Sequence, residues 1–447
     1  MGAQAEHLTP AETSTQPALA PVLEEYLAGA QLLFEQRDGA VNLGDLRGRD
    51  LQLDACIDGL RITGNNAWKL LESALAAADS GVVFVATVLA LESKHTVRLK
   101  QILALAETDT TLQFGVRQAF SWVPEPITRP LLPHLMASGN TFYQGLGLHL
   151  YHQHHIHADT HLEWAITHAS TDIRDAGLTT AGELGATTLL PVCLQALQSE
   201  QHSTRFAAAR AALLLGENTH SLSALQSLVA GNTPYQAKAL TLLAVFLPLE
   251  AAQSFLTRLR GYTRNKRLLV RVAGDLGDPV NIPALLRLMA DPELTRLAAY
   301  AVSCITGLDL IENNMDAAPP EDFAAGPNDD PEDENVESDP DEELPWPDRD
   351  KLVQWWEHNG STFKPGTRYQ MGRQINHRHC LDVLQFGSQA QRSIAALHLK
   401  KLDPAAPLFL TEAPAWRQQA RRAQPRPGHD RRASGRTEPE PSGLFRP

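Results

Sequence analysis

Apolar residues along most of the chain recur with the spacing of one helix face, and these runs stop at regular intervals. Four of these runs end in glycine. Between Gly216 and Gly277, Leu247 followed by Pro248 holds the equivalent place, because proline cannot continue a helix. The steps between the five ends are 31, 31, 30 and 30 residues. This periodicity predicts a repeated unit of two short helices. The four runs that end in glycine are Gly182–Gly185, Leu213–Gly216, Gly274–Gly277 and Cys304–Gly307.

The unit between Asp278 and Gly307 shows the pattern most clearly. Its first helix carries apolar residues at i, i+3, i+4 and i+7, beginning at Ile282. Asp291 and Pro292 predict the N-cap and first residue of the second helix, and Gly307 predicts its end. Two helices of this size cannot bury their own apolar faces, so neighbouring units must stack. The pattern therefore predicts a solenoid.

Weaker copies of the unit precede these, with ends near residues 92, 123 and 154. We expect an all-α fold: a HEAT-like helical-repeat solenoid of about eight or nine two-helix repeats, each of 30–31 residues. The predicted regions are a disordered N-terminus (1–20), the solenoid with an N-terminal capping helix (21–311), an acidic disordered linker (312–343), a helical C-terminal cap (344–416) and a disordered Arg/Pro-rich tail (417–447).

Charge is distributed unevenly along the chain. The formal net charge is −13, and the stretch 316–343 alone holds thirteen Asp or Glu residues and no Lys or Arg. The remainder is therefore close to neutral, which disfavours a nucleic-acid partner. The acidic stretch has almost no large apolar groups and cannot fold by itself. It is interpreted as a tether, with competition against an acidic ligand as the alternative.

Cysteine usage and hydropathy bear on the compartment. The four cysteines, Cys56, Cys193, Cys304 and Cys380, lie far apart and form no Cys-x-x-Cys pair, which favours free thiols in a reducing compartment. No secretory signal is visible at the N-terminus, and no window approaches eighteen uninterrupted apolar residues. We expect a cytoplasmic protein without membrane association.

A polar or basic residue recurs eleven positions before each predicted repeat end. The series is Arg174, Arg205, Gln236, Lys266 and Arg296. One interpretation is a structural ladder, in which each side chain bonds to carbonyls or carboxylates of a neighbouring unit. The other is a charged binding stripe along one face of the solenoid. The sequence leaves both open.

Several stretches together resemble known proteins. Arg205–Gly216 and Gly277–Leu286 are similar to short HEAT-like repeats of the phycobilin-lyase type. With the acidic segment and the stretches Asp54–Leu60, Ile305–Leu310, Leu344–Pro347 and Ala413–Arg417, the chain resembles an uncharacterised family of proteobacterial HEAT-repeat proteins over most of residues 20 to 420. The resemblance implies the fold, the compartment and an accessory role beside type VI secretion components. It supplies no catalytic residues.

Histidines are concentrated between residues 149 and 161. His157 and His161 are spaced i, i+4, which can place two imidazoles on one metal ion, and His149 and His152 are spaced i, i+3. A metal site needs three or four converging ligands, and this run crosses a predicted helix end into a loop. We therefore expect these four histidines to bind no metal, and we expect no cofactor.

Motifs for catalysis are absent from the sequence. It contains no His-Glu dipeptide of the kind that binds iron in HEAT-like hydroxylases, no phosphate-binding glycine loop and no Gly-x-Ser-x-Gly elbow. Two functions remain as hypotheses. The first is a non-catalytic protein-binding scaffold or adaptor that uses the solenoid surface. The second is a HEAT-repeat enzyme, of lyase type or metal-dependent.

The predicted binding surface is the face formed by the second helices of the repeats. Arg205 and Arg296 occupy the recurring polar position there, and Tyr143, Phe206 and Tyr235 lie at or beside it. Arginine and aromatic residues dominate binding energy at protein interfaces. Packing between repeats is the competing interpretation for each of these residues.

Overall fold

The computed structural model describes residues 19–231, 233–262, 265–320, 323 and 339–423. Most of these residues are helical and almost none are in strands, which confirms the all-α class. The predicted disordered N-terminus lies outside the described residues except for its last two positions, which begin a helix. No helix in these ranges is long and apolar enough to cross a membrane.

The helices follow one another with short connections. In chain order they are α1 (Leu19–Gln36), α2 (Leu43–Thr63), α3 (Asn65–Ala74), α4 (Ser80–Glu92), α5 (Thr96–Glu107), α6 (Thr110–Trp122), α7 (Glu125–Thr128), α8 (Leu132–Met136), α9 (Thr141–Gln153), α10 (Asp159–Ile166), α11 (Thr171–Leu184), α12 (Leu190–Ala196), α13 (His202–Leu214), α14 (His220–Ala230), α15 (Gln236–Phe246), α16 (Leu249–Tyr262), α17 (Lys266–Leu276), α18 (Ile282–Leu288), α19 (Pro292–Thr306), α20 (Arg349–Asn359), α21 (His377–Phe386), α22 (Gln389–Leu402) and α23 (Ala415–Ala423).

Short 3₁₀ turns and one strand pair complete the elements. The strands are β1 (Tyr369–Gln370) and β2 (Arg373–Gln374). The 3₁₀ turns are Arg37–Gly39, Leu75–Ala77, Arg129–Leu131, Thr187–Leu189, Pro279–Asn281 and Gly360–Thr362.

Alternate helices pack against one another in sequence order. We call α1, α4, α6, α9, α11, α13, α15, α17 and α19 the stacked helices, because each contacts the next. The helices between them contact members of this row. From α4 onward the last residues of the stacked helices are 30 to 32 residues apart: Glu92, Trp122, Gln153, Leu184, Leu214, Phe246, Leu276 and Thr306.

Local sequence explains where these helices begin. Asp79 and Asn140 accept hydrogen bonds from the backbone amides of Val82 and Phe142, so they act as N-caps of α4 and α9. α4 itself is apolar on every side, and Gly81 to Leu91 are all buried. A short helix without a polar face must be enclosed by neighbours, as α4 is by α1 and α6.

The ends of the stacked helices depend on glycine. Gly185, Gly277 and Gly307 adopt left-handed φ angles of 76°, 71° and 71°, as expected at the C′ position. A β-carbon at these positions would also meet backbone from much later in the chain, at Ala405, Tyr369 and Met371. These glycines are therefore needed both for the turn and for the close approach of another segment.

The strand pair is an exception to the expectation of a fold with no sheet. β1 and β2 pair antiparallel, with Tyr369 opposite Gln374. Met371 and Gly372 form the tight turn between them, with φ angles of 47° and 78°. Two consecutive positive φ angles give a hairpin whose twist matches the strands. The usual Asn-Gly signature is absent, so no local residue pattern predicted this hairpin.

The chain from the strand pair onward runs back along the ends of the stacked helices. We call residues 368–423 the return segment. Its members bond to Gly277 near the last repeat, to Glu183 in the middle and to Val41 near the first helix, through Tyr369, Leu408 and Gln389 respectively. The structure thus differs from the expectation of a cap at one end, because this segment contacts α19, through Met371, and also α2 and the residues just before it.

The acidic region closes on itself at its base. Asp316 pairs with Pro347 in an antiparallel bridge, and the Phe323 ring packs on Trp346 with ring centroids 4.7 Å apart. Most of the thirteen acidic residues lie outside the described part of the chain. The contacts bring the two sides of the base together, and residues 321–322 and 324–338 of the predicted linker over 312–343 lie outside the described part.

The predicted boundary at residue 417 falls inside a helix. α23 continues to Ala423, and the residues from 424 onward lie outside the described part. Arg417 is buried and donates to the carbonyls of Ser121 and Val123. These carbonyls hold inside the fold an arginine that the sequence assigned to a solvated tail.

Candidate ligand-binding slot

Basic side chains of the return segment bond to the last carbonyls of the stacked helices. The final carbonyls of a helix have no partner within it, and the helix dipole places negative charge there. Arg421 donates to Gln153 at the end of α9 (Nη2 to O, 3.3 Å) and contacts the His155 ring. Burial and the Arg421 charge lower the pKa of His155 to about 2, so this ring stays neutral.

The end of α15 carries the largest group of such contacts. Arg368 donates to the carbonyls of Val245 and Leu247, each at 2.7 Å, and Lys401 donates to Val245 at 2.9 Å. Burial lowers the pKa of Arg368 to about 10 and that of Lys401 to about 8. His398 is buried beside them, and its pKa falls to about 3 through burial and these two charges.

A cavity of about 520 Å³ remains between the stacked helices and the return segment. We call it the slot. One wall consists of residues from α1, α4, α6, α9, α11, α13 and α15, and the other consists of α22 and residues 408–414. It opens to solvent and is within the size range of ligand sites in proteins.

Aromatic side chains line the slot near the N-terminal helices. Phe34 stacks on Phe84 with centroids 4.7 Å apart, and Phe84 meets the edge of Trp122 at 5.8 Å. Gln118 and Ser121 bring polar groups to the same end. This part of the slot can therefore accept an apolar group and still offer hydrogen bonds.

At α13 and α15 the slot combines an aromatic platform with cations. Phe206 lines the slot and stacks on Tyr235, with centroids 4.9 Å apart and the rings inclined by 18°. Arg210 lies one turn after Phe206, and Lys238 lies one turn after Tyr235. The Lys238 side chain is exposed and forms no ion pair or hydrogen bond with any described residue.

Two carboxylates also line the slot. Glu183 accepts from Arg210 (Oε1 to Nη2, 2.7 Å), and burial raises its pKa less than Arg210 and His152 lower it, so the net shift is downward. The Glu412 side chain reaches solvent in the slot, but protein surrounds it on the other sides. This partial desolvation raises its pKa. Glu183 is thus paired with Arg210, and Lys238 and Glu412 are a cation and a carboxylate of the slot without an ion pair among the described residues.

The residues predicted for the binding surface fall in different places. Tyr143 donates to Glu107 of the preceding helix pair (Oη to Oε2, 3.2 Å), which supports packing between helices. Desolvation and this carboxylate raise the pKa of Tyr143. Arg205 bonds to the carbonyls of Ser199 and Glu200 in the turn before α13. Neither Tyr143 nor Arg205 lines the slot.

Arg296 is held by the base of the acidic region. Its guanidinium donates to the Asp339 carboxylate at 2.6 Å and to the Asp341 carbonyl at 2.9 Å, and it lies 5.4 Å and 5.5 Å from the ring centroids of Phe323 and Trp346. Arg267 pairs with the Asp341 carboxylate in the same cluster. These contacts within the protein engage the Arg296 guanidinium, so it is not presented to a partner on the predicted surface.

The recurring polar series is engaged throughout by partners within the fold. Beyond Arg205 and Arg296, Arg174 bonds to Thr171, Gln236 to the Val229 carbonyl and Lys266 to the Asp291 carboxylate. Of these three, only the Lys266 contact joins two units, because Thr171 lies in the same helix as Arg174 and Val229 lies in the helix just before Gln236. The contacts therefore do not form the ladder between neighbouring units. Phe206 and Tyr235 are the predicted surface residues that the structure brings together.

The histidine run does not converge on one point. His149 contacts Ser121 (Nε2 to Oγ, 2.7 Å), and His152 faces Glu183 at 3.7 Å. His161 bonds to the Tyr151 hydroxyl at 2.9 Å, and no contact joins it to His157. Burial lowers the pKa of His149 and of His152. Within the described ranges, no group of three or more His, Cys, Asp or Glu residues is placed to hold a metal ion.

Sequence reasoning missed Arg210 and Lys238, although a signal for Arg210 was present. Thr179, Arg210 and Thr241 are separated by 31 residues each and all line the slot. These three residues form a second recurring position, five residues after Arg174, Arg205 and Gln236, and this position faces the slot. Lys238 lies outside this register and carried no signal.

Comparison with known proteins adds no relative. No family model matches the chain, and neither a curated protein nor a solved structure matches it significantly. The resemblance to proteobacterial HEAT-repeat proteins stays an expectation of the sequence.

Proposed function

We propose that the chain is a HEAT-like solenoid that works as a non-catalytic binding protein in the cytoplasm and holds a peptide segment of a partner protein in the slot. The regular steps between the ends of the stacked helices support the architecture. The slot is the observation that carries the function, because it is open, receives residues from seven successive stacked helices and is lined by both polar and aromatic groups.

The uncharged lining of the slot suits a peptide. Gln118 and Gln153 each offer a donor and an acceptor, and Thr179 and Thr241 add hydroxyl groups. A peptide backbone presents alternating amide donors and carbonyl acceptors, so mixed groups along a long cavity can bind it. The two faces of the slot come from one chain, so the site exists before the ligand arrives.

A selection with random peptides tests this function. Purified full-length protein is used to select from a phage library of random dodecapeptides, and selected peptides are then tested on Ser393→Trp. Ser393 is an exposed residue of α22 that lines the slot, so tryptophan there fills the cavity without displacing the core. Leu402→Trp, at an exposed position of the same helix outside the slot, is the matched control.

We expect peptides to be enriched on the wild type, to lose binding to Ser393→Trp and to keep it with Leu402→Trp. Absence of any enriched peptide, or equal binding to Ser393→Trp, would contradict the proposed function.

A further inference from the structure

We infer that the slot selects an acidic peptide, in which a carboxylate side chain neighbours a large apolar one. This inference rests on the proposed function and specifies its ligand. It is carried by the arrangement of Phe206, Tyr235, Arg210 and Lys238 at one end of the slot.

The cations there have capacity that the fold leaves unused. Arg210 donates to Glu183 through Nη2 alone, so its other guanidinium groups are free to bind a carboxylate of the ligand. Lys238 has no partner among the described residues. With Glu183 paired to Arg210, Lys238 supplies an unpaired positive charge at this end that attracts an anion, and Glu412 is the unpaired carboxylate of the slot.

The apolar part of the ligand has a defined place next to these cations. Phe206 is half-buried, and its stack with Tyr235 fixes the ring in one orientation. Leu242 and Leu397 line the same region from α15 and α22. A large apolar side chain adjacent to the bound carboxylate would cover these surfaces and exclude water from the ion pair.

Glu412 lies within electrostatic reach of Glu183 and Arg210, so it restricts what can bind beside them. It faces the slot from the opposite wall and would repel a second carboxylate placed beside it. Its oxygens can instead accept from backbone amides of a peptide. The slot therefore favours one acidic position near Arg210 and Lys238 over a uniformly acidic chain.

Three synthetic peptide pools test the inference. Each pool has a fluorescein label, a fixed Phe at one central position and degenerate residues elsewhere, and the position before Phe is fixed as Glu, Gln or Lys. Fluorescence anisotropy gives the apparent Kd of each pool for the wild type, for Lys238→Gln and for Lys100→Gln. Lys100 is an exposed lysine of α5 outside the slot, so its variant is the control.

We expect the Glu pool to bind the wild type about tenfold more tightly than the Gln pool, and Lys238→Gln to remove most of that difference, as befits loss of one charge-assisted contact. Lys100→Gln should behave as the wild type. Equal binding of the three pools, still blocked by Ser393→Trp, would overturn the acidic specificity alone. Tighter binding of the Lys pool would do the same, whereas no binding of any pool would overturn the proposed function as well.

Discussion

The ends of α15 and α17 meet the same physical requirement in two different ways. At α17, Gly277 turns the chain and accepts a hydrogen bond from the Tyr369 amide at 2.8 Å. At α15, Pro248 ends the helix, and its carbonyls are bound by the side chains of Arg368 and Lys401. Capping by another backbone segment brings the two main chains close together, so the helix must end in glycine. Long cationic side chains reach the carbonyls from further away, so no glycine is needed.

The difference explains which interactions the sequence could reveal. Glycine at a helix end is a local signal, so Gly277 and Gly307 predicted where their helices stop. Arg368 lies 123 residues after Val245, and Arg417 lies 296 residues after Ser121. In the sequence such arginines look like solvated surface charges, because nothing local marks the carbonyls that they will meet.

Removing the cationic cap of α15 should have the largest effect on stability. Arg368→Met removes two charge-assisted hydrogen bonds, leaving the Leu247 carbonyl without its side-chain donor and the Val245 carbonyl with Lys401 alone, and we expect a loss of about 4 kcal/mol in the free energy of unfolding. Arg373→Met, at an exposed position on β2, is the control and should change it by less than about 0.5 kcal/mol. Urea unfolding followed by circular dichroism measures both. A similar small effect of the two variants would show that Arg368 caps nothing.

The backbone cap of α17 gives the next largest effect. In Gly277→Ala the β-carbon meets the Tyr369 carbonyl oxygen, and the left-handed φ adds strain, so we expect a loss of about 3 kcal/mol. Gly366→Ala has the same sign of φ but open space around it, and should lose about 1 kcal/mol. Equal losses, measured by the same urea titration, would show that the approach of β1 is unimportant.

Acid should weaken the cationic cap selectively. The pKa of His398 is lowered to about 3, so the unfolded chain binds a proton that the folded chain excludes between pH 6.5 and 3. Stability is therefore lost as pH falls through that window. His398→Leu removes this pH dependence. Between pH 7 and pH 5 the wild type should therefore lose about 2 kcal/mol more of its free energy of unfolding than the variant does. Parallel unfolding profiles of the two proteins from pH 7 to 5 would contradict this.

The smallest effect on stability is expected at the aromatic platform. Tyr235→Ala should lower the free energy of unfolding by about 1 kcal/mol or less, because Tyr235 is half-buried at a helix start. It should weaken peptide binding by about 1–3 kcal/mol. Thermal unfolding and anisotropy on one preparation separate the two quantities. A large loss in melting temperature with unchanged binding would assign Phe206 and Tyr235 to packing between helices.

Much of the fold was predictable from local periodicity, and the site was not. The 31-residue step predicted helices that end near Gly185, Gly216 and Gly277 because burial and glycine act within each unit. The slot needs a second wall, and residues 408–414 supply it from more than 150 residues beyond the helices that they face. Phe206 could be predicted as a binding residue because it is an aromatic residue next to the recurring position at Arg205. That pattern is present in the sequence whether or not the second wall is known.

A disulfide between the first and last parts of the chain tests the central claim most directly. Asn42 and Ser388 face each other in an antiparallel bridge, whose Cα separation suits a disulfide. The variant Asn42→Cys/Ser388→Cys is oxidised at low concentration, digested and mapped by mass spectrometry. The return segment predicts near-complete joining of residues 42 and 388 within one monomer. Two free thiols, or linkage only between two molecules, would show that the C-terminal part does not return to the first helices.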